Sequence, residues 1–424
     1  MDQEYVCSTD LNEAVLSDAV AYFLHRIRPH RERLFDYYHG RQPVPKGEAV
    51  RGRPNNLLRI PFPRYITEVH TGYFLGAPLT MSFPDPRASH AYAQMSRQLQ
   101  LPHLLFDIGR DLSICGAGFA LVWLERSGLK ASRCDPLSCF TIRLNRAGSP
   151  LAATVRLTAR EDGQMEGTVY REDCVQGFLW DGAAAHLQPV RENPLRALAL
   201  VPFANNCDGL GDFDAVTGLV DAYNLLLSGA MDDMQSVANA FLALYGMQGT
   251  TQGDIDNANR TRVLSLAEGG KAEFVVKNLN HEALAQLEGN LRRSILQLSM
   301  TPDFSDESFA GQASGVALQY KLWGIEQVRA AKERSFRLGL YQLLRTCSAG
   351  LSLLGERVDL TCGEATFYKN LPQNHAELVE MLLSLSDILS RRTILEQLPW
   401  VGDAEEELQR RAQELSAQNK SKEE

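Results

Sequence analysis

Three carboxylates fall within a five-residue stretch at Asp303, Asp306 and Glu307. Clustered acids can hold a divalent cation, and a metal-activated water could then attack a phosphodiester. The surrounding loop, from Met300 to Phe309, offers a plainer use, in which the acids keep the loop solvated and cap helices. His281-Glu282-Ala283-Leu284-Ala285 opens like a zinc-hydrolase helix, but alanine stands at 285 where the second histidine would be. Gly209-Leu210-Gly211 lacks the third glycine and the strand context of a dinucleotide site. The chain has no G-x-x-x-x-G-K-S/T phosphate loop and no G-x-S-x-G elbow. Its nine histidines are scattered, and its eight cysteines form no C-x-x-C pair, Cys134 and Cys139 being the nearest couple. Those cysteines read as reduced, mostly buried thiols of a cytoplasmic protein, not as metal ligands. No catalytic set, metal site or cofactor emerges, so the expectation is a chain that is not an enzyme.

Elements long enough to carry a large assembly stand in place of an active site. At 424 residues the chain exceeds the usual size of a single core, which predicts at least two modules. Its net charge of -9 argues against a protein that grips nucleic acid by neutralising phosphates. No apolar run approaches the ~20 residues of a membrane span. The opening Met1-Asp2-Gln3-Glu4 is acidic and polar, so a signal peptide is not expected.

Leu11 to Tyr38 carries helical spacing at Leu16, Val20, Phe23, Leu24 and Ile27, with Pro29 expected to end or kink it. Residues 39–56, rich in Gly, Pro and Arg, read as a solvated loop or as an arm on a partner. Residues 88–117 read as two helices broken near Pro102, and 118–205 as an antiparallel sheet module. A long helix is expected over 213–245, with a stripe from Val216 to Leu244 in steps of three and four. Its polar face holds Asp214, Asp221, Asp232 and Asp233, and the segment has no Lys or Arg. Short strands follow in 246–280. A second helix runs over about 281–299, with Leu284, Leu287, Leu291, Ile295 and Leu298 packed lengthwise. After the loop 300–313, Ser314 is expected to cap a helix reaching residue 354, with Gly339 as a kink point. That helix is basic, with Lys321, Arg329, Lys332, Arg334, Arg337 and Arg345. An ion-pair face explains the bases, and contact with DNA or an acidic neighbour is the sharper reading. A short strand at 366–369 and terminal helices complete the expectation.

Several blocks in order resemble the portal proteins of tailed bacteriophages. Tyr37-Tyr38-His39-Gly40 with Asn55-Asn56 is the first, and Tyr73-Phe74-Leu75-Gly76-Ala77-Pro78 the second. Asp221-Ala222-Tyr223-Asn224 resembles the start of the family's first stem helix. The strongest is Pro302-Asp303-Phe304 to Phe309-Ala310-Gly311, followed by Ser314-Gly315-Val316-Ala317-Leu318-Gln319-Tyr320-Lys321-Leu322. Asn370-Leu371-Pro372-Gln373-Asn374 closes the set.

The resemblance implies an α+β portal-type fold with long stem helices, a β-rich wing, a small clip and a helical C-terminal crown. Residues 1–212 would be arm and wing, 213–245 and 281–299 the stem helices, and 246–280 the clip. Residues 300–313 would be the tunnel loop, 315–370 the long wing helix and strand, and 371–424 the crown. It further implies a homo-oligomeric ring, usually about twelve subunits, in the virion at one capsid vertex. The implied partners are the terminase large subunit, head-completion or adaptor proteins, and the major capsid and scaffold proteins. Double-stranded DNA would pass through without sequence specificity, and no membrane is involved. Asp303, Phe304, Ser305, Asp306, Glu307, Phe309 and Gln312 would belong to the tunnel loop. Asp214, Asp221, Asp232 and Asp233 would face the channel and repel phosphates. Arg260, Arg262, Lys271 and Lys277 would bind partners at the clip. Two alternatives stay open: a nucleic-acid-processing capsid enzyme using the acids of residues 303–307, and a head–tail adaptor.

Overall fold

The computed structural model describes residues 4–47, 54–146, 148, 150–161, 164–238, 241–245, 251, 253, 256, 271–275, 281–305, 319–370, 382–386, 389–396, 404 and 407–412. Helix and sheet are mixed, and the chain divides into two compact units, Met1–Lys369 and Asn370–Glu424.

Helix α1 (Glu13–Tyr22) starts where the Asn12 side chain accepts the Val15 N–H at 2.9 Å. It does not break before Pro29. A π-helical segment, Phe23–Ile27, leads directly into α2 (Arg28–Tyr38), with Pro29 in the first turn. There the missing proline N–H costs least, and the widened turn lets the chain continue. This helix packs on a six-stranded sheet of β1 (Tyr5–Cys7), β5 (Cys139–Leu144), β6 (Leu151–Ala159), β7 (Met165–Tyr170), β8 (Cys174–Trp180) and β9 (Ala185–Glu192). The order is β1-β5-β6-β7-β8-β9, antiparallel except for the parallel β1–β5 pair. Alternation in β8, buried at every second residue, turns Phe178 and Trp180 toward α1. Phe23 stacks on Phe140 with centroids 4.7 Å apart.

A second core joins α3 (Phe62–Leu75), α4 (Pro86–Leu99) and α5 (Leu101–Cys115) to a three-stranded sheet. That sheet is ordered β10 (Leu200–Ala204), β3 (Ala117–Glu125), β4 (Gly128–Cys134). The expected break between the two helices falls at Gln100, in the left-handed region at φ 49°, with Pro102 in the first turn of α5. The short strands β2 (Thr80–Ser82) and β13 (Glu364–Thr366) pair antiparallel. The latter ends at Thr366, where the expected strand over 366–369 begins.

Two further helices build the third core, α6 (Thr217–Ala238) and α7 (His281–Leu298), against α2 and α3. Residues near the start of α6 (Val216, Val220, Tyr223) share this core with the end of α7 (Ile295), so the two helices run antiparallel. Tyr223 donates to Glu288 at 2.6 Å across them. The expected helix over 213–245 is therefore corrected. A 3-10 turn at Asp214–Val216 precedes it, it ends at Ala238, and Phe241–Tyr245 is strand β11, paired antiparallel with β12 (Lys271–Val275). The run Phe241-Leu242-Ala243-Leu244-Tyr245 satisfies both periods, and pairing across the ribbon decides for strand. At about 1.5 Å per residue the helix is about 33 Å long, not about 50 Å.

The long helix α8 (Trp323–Leu353) is continuous through Gly339. A Cβ there would stand 2.5 Å from Phe203 Cδ1, so the glycine lets β10 approach the helix. The expected cap at Ser314 lies outside the described residues, as does most of 246–280, where short strands are expected. In the second unit, α9 (Arg391–Glu396) begins where Ser390 Oγ accepts the Thr393 N–H at 3.2 Å.

Candidate functional site

One N-terminal segment is strapped along α6 by a polar ladder. The N–H groups of Asn56, Leu58 and Ile60 donate to Asp232 Oδ1, Ser228 Oγ and Asn224 Oδ1 at 2.8, 2.9 and 2.8 Å. Every second residue of the strap meets every fourth of the helix, in opposite directions. Four helical residues rise about 6.0 Å and two extended residues cover about 6.6 Å, so the spacings match. Leu57 and Arg59, between the rungs, are exposed. Asn56 Nδ2 also reaches Asp232 Oδ1 at 2.7 Å, and Lys46 forms an ion pair with the same carboxylate. Within residues 39–56, Lys46 and Asn56 are thus held on α6 of the chain itself. Ser228→Ala should leave the Leu58 N–H without its acceptor. It should cost about 1–2 kcal/mol, read as faster amide exchange at 56–60 and a lower urea midpoint.

Of the four acids expected to face a channel, Asp214, Asp221 and Asp232 have partners within the chain. Asp214 Oδ2 lies 2.9 Å from His30 Nε2, and Tyr37 donates to Asp221 Oδ2 at 2.7 Å. Burial and that hydrogen bond push the Tyr37 phenol well above its usual range. Asp232 carries the strap, with Lys46 against its charge, and Asp233 is half-buried. Three of the four carboxylates are held by α2 and the strap of the same chain, a role that the absence of bases within the segment hid.

The bases of α8 are also paired internally. Arg329 bridges Glu326 and Glu333 at 2.9 and 2.6 Å, Arg337 reaches Glu333 at 2.7 Å, and Arg345 reaches Glu172 at 3.1 Å. Arg334 is exposed.

Where α7 ends, the chain turns by a Schellman motif. The Thr301 N–H donates to Leu296 O at 2.9 Å and the Met300 N–H to Gln297 O at 3.1 Å. Met300 occupies the left-handed position at φ 53°, where glycine is the usual residue. Tyr65 on α3 donates to Pro302 O at 3.0 Å. Asp303 accepts from Arg292 at 3.2 Å and from Ser305 Oγ at 2.7 Å, so its carboxylate is engaged by the turn itself. Ser305 also bonds Arg292. Phe304 is 53% exposed. Asp306, Glu307, Phe309 and Gln312 lie outside the described residues, as do Arg260, Arg262 and Lys277 of the expected clip. Lys271 opens β12 opposite Tyr245.

Beneath that turn lies a buried polar cluster that sequence reasoning missed. Lys332 Nζ of α8 sits 2.5 Å from Asp212 Oδ2, both side chains 3% exposed. Asp212 also accepts from Ser113 Oγ at 2.5 Å and Asn205 Nδ2 at 2.9 Å. His70 Nδ1 stands 3.8 Å from the same carboxylate, and its Nε2 meets Thr301 Oγ1 at 3.0 Å. Thr301 Oγ1 lies 2.9 Å from Ser299 Oγ. Burial lowers the His70 pKa to about 4, Asp212 opposing and Lys332 adding, so the ring is neutral at pH 7. Burial alone would raise Asp212, but Lys332, His70 and the hydrogen bonds hold it below the usual carboxylate range. No sequence motif joins residues 70, 113, 205, 212, 301 and 332. The available signal was a lysine on an otherwise core-facing stripe of α8, between Ile325 and Phe336.

Across known families, the sequence model described as phage portal protein, SPP1 Gp6-like, matches residues 21–421. The chain belongs to that family. It is 25% identical over 228 residues to the portal protein of Bacillus phage SPP1, covering 51% of this chain and 44% of that one. It is 23% identical over 221 residues to the portal protein of Clostridium phage phiCD119, covering 51% and 48%. The chain thus spans about half the length of the curated relatives it matches. Within this portal family chain, the antiparallel pair α6–α7 and the long α8 bracket the segment 299–322. The buried Asp212 cluster draws on a residue just before α6, one just after α7 and Lys332 within α8.

Proposed function

We propose that this chain forms a ring at one capsid vertex, the conduit for DNA packaging and ejection and the docking place for the terminase motor and head-completion proteins. The carrying observation is the family match over residues 21–421. Residues 1–212 form arm and wing, α6 and α7 the stem, and residues 246–280 the clip, reached through the β11–β12 ribbon. Residues 300–313 form the tunnel loop, 315–370 the wing helix and strand, and 371–424 the crown. Arg260, Arg262, Lys271 and Lys277 offer the clip's cationic surface to partners, and capsid and scaffold proteins hold the ring in place. DNA passes without sequence readout.

The internal pairing of Asp214, Asp221 and Asp232 refines the electrostatic part of this reading. A charge already compensated within the subunit repels phosphate weakly. Centring of DNA then rests on the loop, with Phe304 exposed at its start, more than on the stem acids. Deleting residues 303–311 tests the assignment. The rings should keep their mass while nuclease-protected DNA in capsids built with them falls to background. Normal packaging by the deleted rings, or rings that fail to form, would refute the loop's role.

A further inference from the structure

We propose that Thr301, through His70 and the Asp212–Lys332 pair, is the positioning residue that fixes the base of the tunnel loop against the long helix during DNA translocation. The inference rests on the portal reading above and names the groups that hold its moving part.

The geometry is a run of buried polar groups from the start of the loop to α8, with one wider step of 3.8 Å between His70 Nδ1 and Asp212 Oδ2. Thr301 lies three residues after the last residue of α7, and its hydroxyl meets His70 Nε2 at 3.0 Å. His70 leads to the Asp212 carboxylate, and that carboxylate to Lys332 in α8. Asp212 itself stands two residues before the 3-10 turn that starts α6. Asp212, just before one stem helix, is thus paired with the helix that follows the loop and packs at 3.8 Å against the ring that meets Thr301 after the end of the other. His70, Asp212, Thr301 and Lys332 are all buried, so none of these contacts competes with water. Met300, immediately before Thr301, is held at φ 53°, a conformation that a residue with a Cβ keeps only when its neighbours fix it. Core packing would be served better by an apolar side chain at Thr301 and at Lys332. A polar path here instead gives the loop base one defined register.

Thr301→Val removes the hydroxyl and keeps the shape, while Thr301→Ser keeps the hydroxyl. Ile325→Val, in the nearby apolar part of α8, is the control for a plain loss of stability. Amide exchange on the whole chain should rise about tenfold at 299–305 in Thr301→Val, stay at the original rate in α5, and return in Thr301→Ser. Capsids built with the valine variant should hold about tenfold less nuclease-protected DNA with ring mass unchanged, and the serine variant should restore it. Faster exchange with undiminished packaging would overturn the positioning role, as would equal losses in the Ile325→Val control. Unchanged exchange in Thr301→Val would overturn the anchor itself. If the 303–311 deletion packages normally, the tunnel-loop reading has failed and this role fails with it. The exchange result would still report whether Thr301 anchors the turn.

Discussion

Replacing Lys332 with methionine should destabilise the first unit by about 3–5 kcal/mol, the range for removing one partner of a buried ion pair. Methionine fits the channel that the lysine stem occupies, so lost packing is small. The cost comes from what remains. Asp212 would keep its charge with Ser113 and Asn205 as donors, at a site where its side chain is 3% exposed. Adding Asp212→Asn removes that orphaned charge, and the double variant should recover part of the loss. Urea unfolding of the two single variants and the double variant measures this directly. A Lys332→Met protein as stable as the parent would show that the pair is not closed in solution.

Acid should weaken the fold through His70 by about 3 kcal/mol between pH 6.5 and 4. The folded ring titrates at about 4, against an ordinary value of 6.5, chiefly because it is buried. A lowered folded pKa means that the fold favours the neutral ring. Its contribution is complete above pH 6.5 and is lost as pH falls through 4, since the unfolded chain takes up a proton that the folded chain resists. Carboxylates elsewhere titrate in the same window, so the readout is a difference. The stability gap between the parent and His70→Gln should narrow as pH falls from 7 to 4, because glutamine has no proton to gain. Parallel stability curves for the two proteins would contradict a buried neutral His70.

The helices and the sheet module were readable because their apolar residues repeat on one face. The α4–α5 break was marked by Pro102, and α7 by its leucines. The end of α6 was not readable, since Phe241 to Tyr245 satisfies the period of a helix and of a strand and only the distant Lys271–Val275 segment decides between them. Gly339 looked like a hinge because a sequence does not show that Phe203 leans against it. The strap showed its chemistry in Asn55-Asn56, yet its partners lie more than 160 residues away on successive turns of α6. The Asp212 cluster was least legible. Its members come from five separate segments, and each alone is an ordinary polar residue.

Mass and shape of the purified protein test the central claim most directly. Light scattering with negative-stain microscopy, alone and after coexpression with the capsid and scaffold proteins, should show closed rings of about twelve subunits around a central hole. A monomer or dimer under both conditions would contradict the account.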